Sequence, residues 1–115
     1  MGLYQTTVKE MYEDTYILPQ ENGNRTDVEL LILSDKKCVV EITSPRPFEF
    51  GASHISIEEL MKCRHQCEVQ MEKETILCLD LAQRGLGTGS CGPQTLPQYA
   101  LDEKKYQFSF ELKIN

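Results

Sequence analysis

"YQFSFELKI", residues 106–114, alternates without interruption: Tyr106, Phe108, Phe110, Leu112 and Ile114 take every second position, separated by Gln107, Ser109, Glu111 and Lys113. Successive side chains of a strand point to opposite faces, so this stretch predicts a strand with one buried face and one wet face. Working back along the chain, further short strands appear between segments of turn chemistry. "ETILCLDLA" (Glu74 to Ala82) is apolar on both faces, as an interior strand of a sandwich would be. "VELLIL" (Val28 to Leu33) is followed by the turn "SDKK" and by "CVVEI" (Cys38 to Ile42). "SPRP" is expected to break that run, because each proline removes a backbone donor and restricts the residue before it; "FEFGA" then resumes as a separate short strand. "YILP" enters a polar turn centred on Asn22-Gly23, a dipeptide favoured where positive φ is required.

One helix stands out against this background. Ser56 and Glu59 form a capping-box pair, and Ile57, Leu60, Met61 and Cys67 fall near one face, so a helix is expected from about Ile57 to Gln66. No repeat, low-complexity tract or linker interrupts the chain, and residues 1–115 read as one all-β, sandwich-type domain with antiparallel strands and this single short helix.

Composition narrows the function. The chain has 115 residues, 40% apolar and 26% charged, which is ordinary for a soluble globular domain. Its formal net charge of −6 argues against a nucleic-acid partner, whose phosphates are met by basic clusters. No apolar run approaches the length needed to span a bilayer, so no membrane is expected, and the start "MGLYQTTVKE" does not read as a signal peptide. Five cysteines, an odd number, show no disulfide spacing; Cys38 and Cys78 sit inside apolar runs as small hydrophobes. The expected compartment is the cytoplasm, or the periplasm where a longer parent carries a signal peptide.

Candidate chemistry is sparse. Cys63, His65 and Cys67, with His54 nearby, are the best metal candidates, since two cysteines four apart share a helical face; but His65 points elsewhere, and structural zinc wants four ligands. The simpler reading is two half-buried thiols and histidines bonded to backbone near the helix ends, with no metal and no cofactor. Cys91 lacks a base placed by spacing, and the acidic pairs Glu58-Glu59 and Glu72/Glu74 lie in polar, solvated stretches. "NRT" at Asn24 matches a glycosylation acceptor, a triplet common by chance. Asn22 to Arg25 are read as shaping a turn, with Arg25 paired to a carboxylate. From the residues alone the chain has no catalytic set and looks like a binding or accessory domain.

The remaining oddity is "RGLGTGSCGPQTLP", Arg84 to Pro97, a loop with four glycines and a thiol. "GLGTGSCGPQTLPQYAL" (Gly85 to Leu101) followed by "YQFSFEL" resembles the C-terminal end of family 2 β-galactosidases. "YILPQENGNRTDV", "FEFGASHISIEELMKCRH" and "LCLDLAQRGLG" resemble the same small-chain domain, and the four blocks stand in the family's order over nearly the whole chain. The resemblance implies a β-supersandwich, similar to galactose mutarotase, of which this chain is the C-terminal part. It implies a parent that hydrolyses terminal β-D-galactosides such as lactose with retention, using two glutamates on a separate barrel whose motifs are absent here. It also implies a loop that helps close the sugar site, here Gly89, Ser90, Cys91, Gly92 and Pro93, with Cys91 where well-known members carry tryptophan. A thiol offers far less surface for stacking on a sugar than an aromatic ring. The expected partners are the galactoside substrate, the remaining domains or large subunit of the enzyme and, as a further expectation, copies of itself in a homo-oligomer. The alternative is a stand-alone carbohydrate-binding or interaction module without catalysis. A severed fragment should expose an apolar face, with Leu31, Leu33 or Val39 on it, whereas a true module should be polar outside.

Overall fold

The computed structural model describes residues 2–12, 18–19, 22–83 and 93–115, apart from the side chain of Tyr99. The chain divides into two compact units, Met1–Arg25 with Phe50–Leu79, and Thr26–Glu49 with Asp80–Asn115.

The second unit is built on a hairpin. β1 (Arg25–Ser34) and β2 (Val39–Ser53) are neighbours in one sheet. Asp35 shapes the turn between them: its carboxylate accepts the N–H groups of Lys37 (2.6 Å) and Cys38 (2.8 Å), while its own N–H donates to the Cys38 carbonyl at 3.0 Å. So short a connection joins only antiparallel neighbours. β4 (Glu111–Ile114) pairs antiparallel with the start of β2, setting Val40 opposite Ile114 and Ile42 opposite Leu112. Val39 and Asn115 exchange both backbone hydrogen bonds, at 3.0 and 2.9 Å, and close the ladder. Leu31, Ile42 and Phe48 are the buried apolar side chains of this unit.

Two expectations change here. "SPRP" does not interrupt the sheet: β2 runs through Pro45 and Pro47 without a break. The register explains why. Val39 turns its N–H toward β4, so the odd residues of β2 face that edge, and Pro45 and Pro47 lack their donors only there. The same parity shortens the final strand. Continuing the register puts Ser109 opposite Pro45, which has no N–H to give, and β4 starts at Glu111 rather than Tyr106. The Ser109 carbonyl is taken instead by the Ser44 hydroxyl, which donates to it at 2.9 Å.

The faces of the last strand are as the alternation predicts, but their coverage is not. Leu112 and Ile114 share a face with fully buried Ile42, yet remain 46% and 66% exposed. On the opposite face Lys113 lies 3.9 Å from Glu41 and 3.8 Å from Glu111. On β1 the expected exposure of Leu31 is wrong: Leu31 is buried and Leu33 half-buried, while Leu30 and Ile32, on the alternate face, are exposed. Val39 is exposed.

In the first unit, Met11, Ala52 and Ile55 are the buried apolar side chains. β3 (Ile76–Asp80) lies next to β2 at the end of the strand order among the described residues, and all five of its residues are half-buried rather than buried as expected of an interior strand. A one-turn helix, α1 (Val8–Met11), precedes the turn at Gly23, and its Thr7 and Glu10 form a reciprocal capping box. α2 (Ile57–Lys62) begins as expected, with the Ser56 hydroxyl accepting the Glu59 N–H at 3.3 Å, but it ends at Lys62 instead of Gln66. Beyond it Cys63 is extended, and a 3-10 turn covers Gln66–Glu68. Carboxylates compete with helix continuation there. Glu68 accepts the N–H groups of Arg64 (2.9 Å) and His65 (3.2 Å), holding the link out of the helix. The helix buries none of its side chains, and Met61, expected on its packed face, is 83% exposed. Taken together the described residues form a mostly antiparallel β structure with short helices, the fragment of an all-β sandwich that the sequence predicts.

Candidate functional site

Of the loop residues singled out in the sequence, Gly89, Ser90, Cys91 and Gly92 lie outside the described residues. Pro93 is described and exposed, as is Leu96 beyond it. The loop exit is then stiffened by a 3-10 turn, Pro97–Tyr99, whose carbonyl at Pro97 accepts the Ala100 N–H at 3.2 Å. A proline at each end of residues 93–97 limits the backbone freedom of that exit.

The metal candidates are not brought together as a helical pair. Because α2 stops at Lys62, Cys63 and Cys67 no longer share a helical face. The Cys63 thiol instead donates to Glu59 Oε1 at 3.6 Å, and the same carboxylate oxygen accepts the Gln70 N–H at 3.3 Å. Desolvation first, and then the Glu59 charge, push this thiol above its ordinary range, away from the thiolate that a metal or a nucleophilic role requires. Among the described residues no three His, Cys, Asp or Glu side chains converge to hold a metal ion. His54 bonds through Nδ1 to the Glu74 carbonyl at 3.1 Å, the backbone partnership expected of it, and its own carbonyl accepts the Glu72 N–H. For His65 the bond at the turn is made by its backbone N–H.

The turn blocks are structural. Gly23 has φ +79°, and a Cβ there would lie 2.6 Å from the Met11 carbonyl oxygen. Arg25 does not pair with a carboxylate in the contacts described; its guanidinium donates to the carbonyls of Gly23 (3.0 Å) and Asn24 (3.2 Å). Among the described residues, three carboxylates carry shifted acidities, and all three move downward. Glu10 is held low by its bonds from Thr7 and Thr6, Asp35 by the N–H groups of Lys37 and Cys38, and Glu68 by those of Arg64 and His65.

A cleft in the first unit, lined by Tyr12, Ala52, Ile55, Leu60 and Ile76 among others, offers about 40 Å³. Small-molecule sites commonly need about 300–1,000 Å³, so this apolar notch does not hold a sugar. No helix is long and apolar enough to cross a membrane among the described residues.

Comparison with known proteins adds what the geometry leaves unassigned. A family model described as "Beta galactosidase small chain" matches residues 1–112. The chain is 36% identical over 112 residues to a β-galactosidase of Actinobacillus pleuropneumoniae, covering 97% of this chain and 11% of that protein. It is 36% identical over 111 residues to a β-galactosidase of Staphylococcus xylosus, covering 96% and 11%. To that of Kluyveromyces lactis it is 34% identical over 116 residues, again covering 96% and 11%. The chain therefore spans about a tenth of the length of the curated relatives it matches. With a match that runs from the first residue to the middle of β4, the chain belongs to the β-galactosidase small-chain family.

Proposed function

We propose that this chain is a segment of a glycosidase that hydrolyses terminal β-D-galactosides such as lactose, with retention, and that it supplies scaffold and one site-closing loop, Gly89 to Pro93. The family match over residues 1–112 carries this reading. Retention uses two carboxyl groups about 5 Å apart, one as acid/base and one as nucleophile. Placing that pair elsewhere in the polypeptide fits the share of the relatives that this chain covers, about a tenth of their length. The chain then meets the galactoside as part of the whole enzyme, and its standing partners are the enzyme's other domains or large subunit.

The loop reading is tested in the parent polypeptide containing this segment, with Cys91→Ala and Cys91→Trp, on a chromogenic β-galactoside. A several-fold change in kcat or in acceptor preference, with Tm unchanged, is the expected result, because the ring adds a stacking surface that the thiol lacks. Variants that both match the unaltered enzyme would reduce the loop to packing and leave the segment as scaffold.

A further inference from the structure

We infer that the Asn22-Gly23 peptide is a latent self-modification site: the first unit holds it against succinimide closure, and opening of that unit releases it to become aspartate or isoaspartate at position 22. Nothing in this chemistry depends on glycosidase activity.

Asparagine followed by glycine is the dipeptide most open to this reaction, because no Cβ shields the second nitrogen and the glycine backbone turns freely. The Gly23 amide nitrogen, giving up its proton, attacks Cγ of Asn22. A C–N bond forms, the Cγ–Nδ2 bond breaks, and ammonia leaves with the proton. Water then opens the five-membered ring at either carbonyl. One opening gives aspartate; the other routes the main chain through the side-chain carboxyl and lengthens it by a methylene. Either product adds a negative charge, and water is the only co-reactant.

The fold removes the freedom that closure needs. Gly23 is set at φ +79°, with the Met11 carbonyl oxygen 2.6 Å from where its Cβ would stand. Met11 is itself buried, so that oxygen does not move aside. Arg25 Nη1 donates to the Gly23 carbonyl at 3.0 Å and to the Asn24 carbonyl at 3.2 Å, fastening the turn from its other end. Asn22 is half-buried and lines the apolar notch beside Ala52 and Ile55. Ring closure redirects the chain between residues 22 and 23, so Gly23 would have to leave Met11 and Arg25 would lose its acceptors. Asn24 is the internal control, because the Arg25 side chain crowds the nitrogen that follows it.

The test holds the full polypeptide carrying this segment, and a synthetic peptide of residues 18–27, in the same mildly alkaline buffer. Mass spectrometry counts conversion at position 22, and methyl uptake from isoaspartyl methyltransferase counts the isoaspartate. The peptide should convert at least about tenfold faster than the folded polypeptide, which reacts only from its opened fraction. Arg25→Ala should raise the polypeptide's rate at least about threefold, the worth of a lost hydrogen bond, and leave the peptide's rate unchanged. Where Arg25→Ala does not fold, Arg25→Lys, which keeps one donor group, carries the same comparison. Ile42→Val, in the other unit, should lower Tm without changing conversion at position 22. Equal rates in polypeptide and peptide, a peptide that does not convert, or an Arg25 variant that converts no faster would each overturn the inference. So would an Ile42→Val rate as high as that of the Arg25 variant, which would assign the protection to global stability.

Discussion

Gly23 shows how much one residue can decide. Its φ of +79° lies where a side chain is strained, and the space a Cβ would need is occupied by the Met11 carbonyl oxygen at 2.6 Å. That oxygen is backbone and cannot swing aside, and Arg25 pins the same turn through the Gly23 and Asn24 carbonyls. Gly23→Ala should therefore destabilise by about 1–3 kcal/mol in urea denaturation. Gly51 is the internal control: no atom lies within 4 Å of a Cβ built there, so Gly51→Ala should change stability by less than about 1 kcal/mol. Glu68 gives the pH dependence at this scale. Its carboxyl is ordinarily near 4.5 and is lowered in the fold, first by the Arg64 N–H and then by that of His65. A depressed folded value means the contribution is present above the unfolded value and lost as pH falls through the folded one. Glu68→Gln should lower Tm at pH 7, with the two melting curves converging as the pH is taken down through the acid range. A gap in Tm that stays constant with pH would assign the effect to packing instead.

At the scale of elements, the ladder between β2 and β4 is governed by which edge of β2 lacks its donors. Pro45 and Pro47 fall on the β4 side, and the Ser44 hydroxyl replaces the missing N–H at Ser109. Pro45→Val should restore a donor opposite Ser109 and extend β4 toward Tyr106, seen as new protection of the residue 45 amide in hydrogen exchange. An unprotected amide there would mean that the proline does not set the strand's start. The alternation of residues 106–114 correctly assigned each side chain to a face, because the period of a strand is local. It could not place the strand's first residue, because that depends on a proline more than sixty positions away in sequence. The helix end failed for a related reason: apolar periodicity continued to Cys67, but the carboxylate of Glu68 captured the backbone first.

For the whole molecule, the informative quantity is how little is buried. Three apolar side chains are buried in each unit among the described residues, against exposed Leu112, Ile114, Leu30 and Ile32. The 115-residue chain in isolation should accordingly bind a hydrophobic dye such as ANS, and Leu112→Ser with Ile114→Ser should lower that fluorescence. Lys113→Ser should leave it unchanged, since that side chain occupies the ion-paired face. Dye binding insensitive to Leu112 and Ile114 would place the exposed surface elsewhere.

By itself the sequence determined the all-β class, the faces of the final strand, the turn at Gly23, the start of α2 and the family, because each follows from local periodicity, backbone permissiveness or ordered blocks of residues. The site-closing role proposed for Gly89 to Pro93 rests on resemblance alone, since no spacing in those residues specifies a sugar. Only the tertiary structure decided the rest. It showed that β2 passes through two prolines, that Cys63 serves Glu59 rather than a shared face with Cys67, and that Leu31 is buried while Leu112 is not. Those outcomes depend on which edge, carboxylate or layer is adjacent in space, and adjacency is a property of the folded chain rather than of any window of its residues.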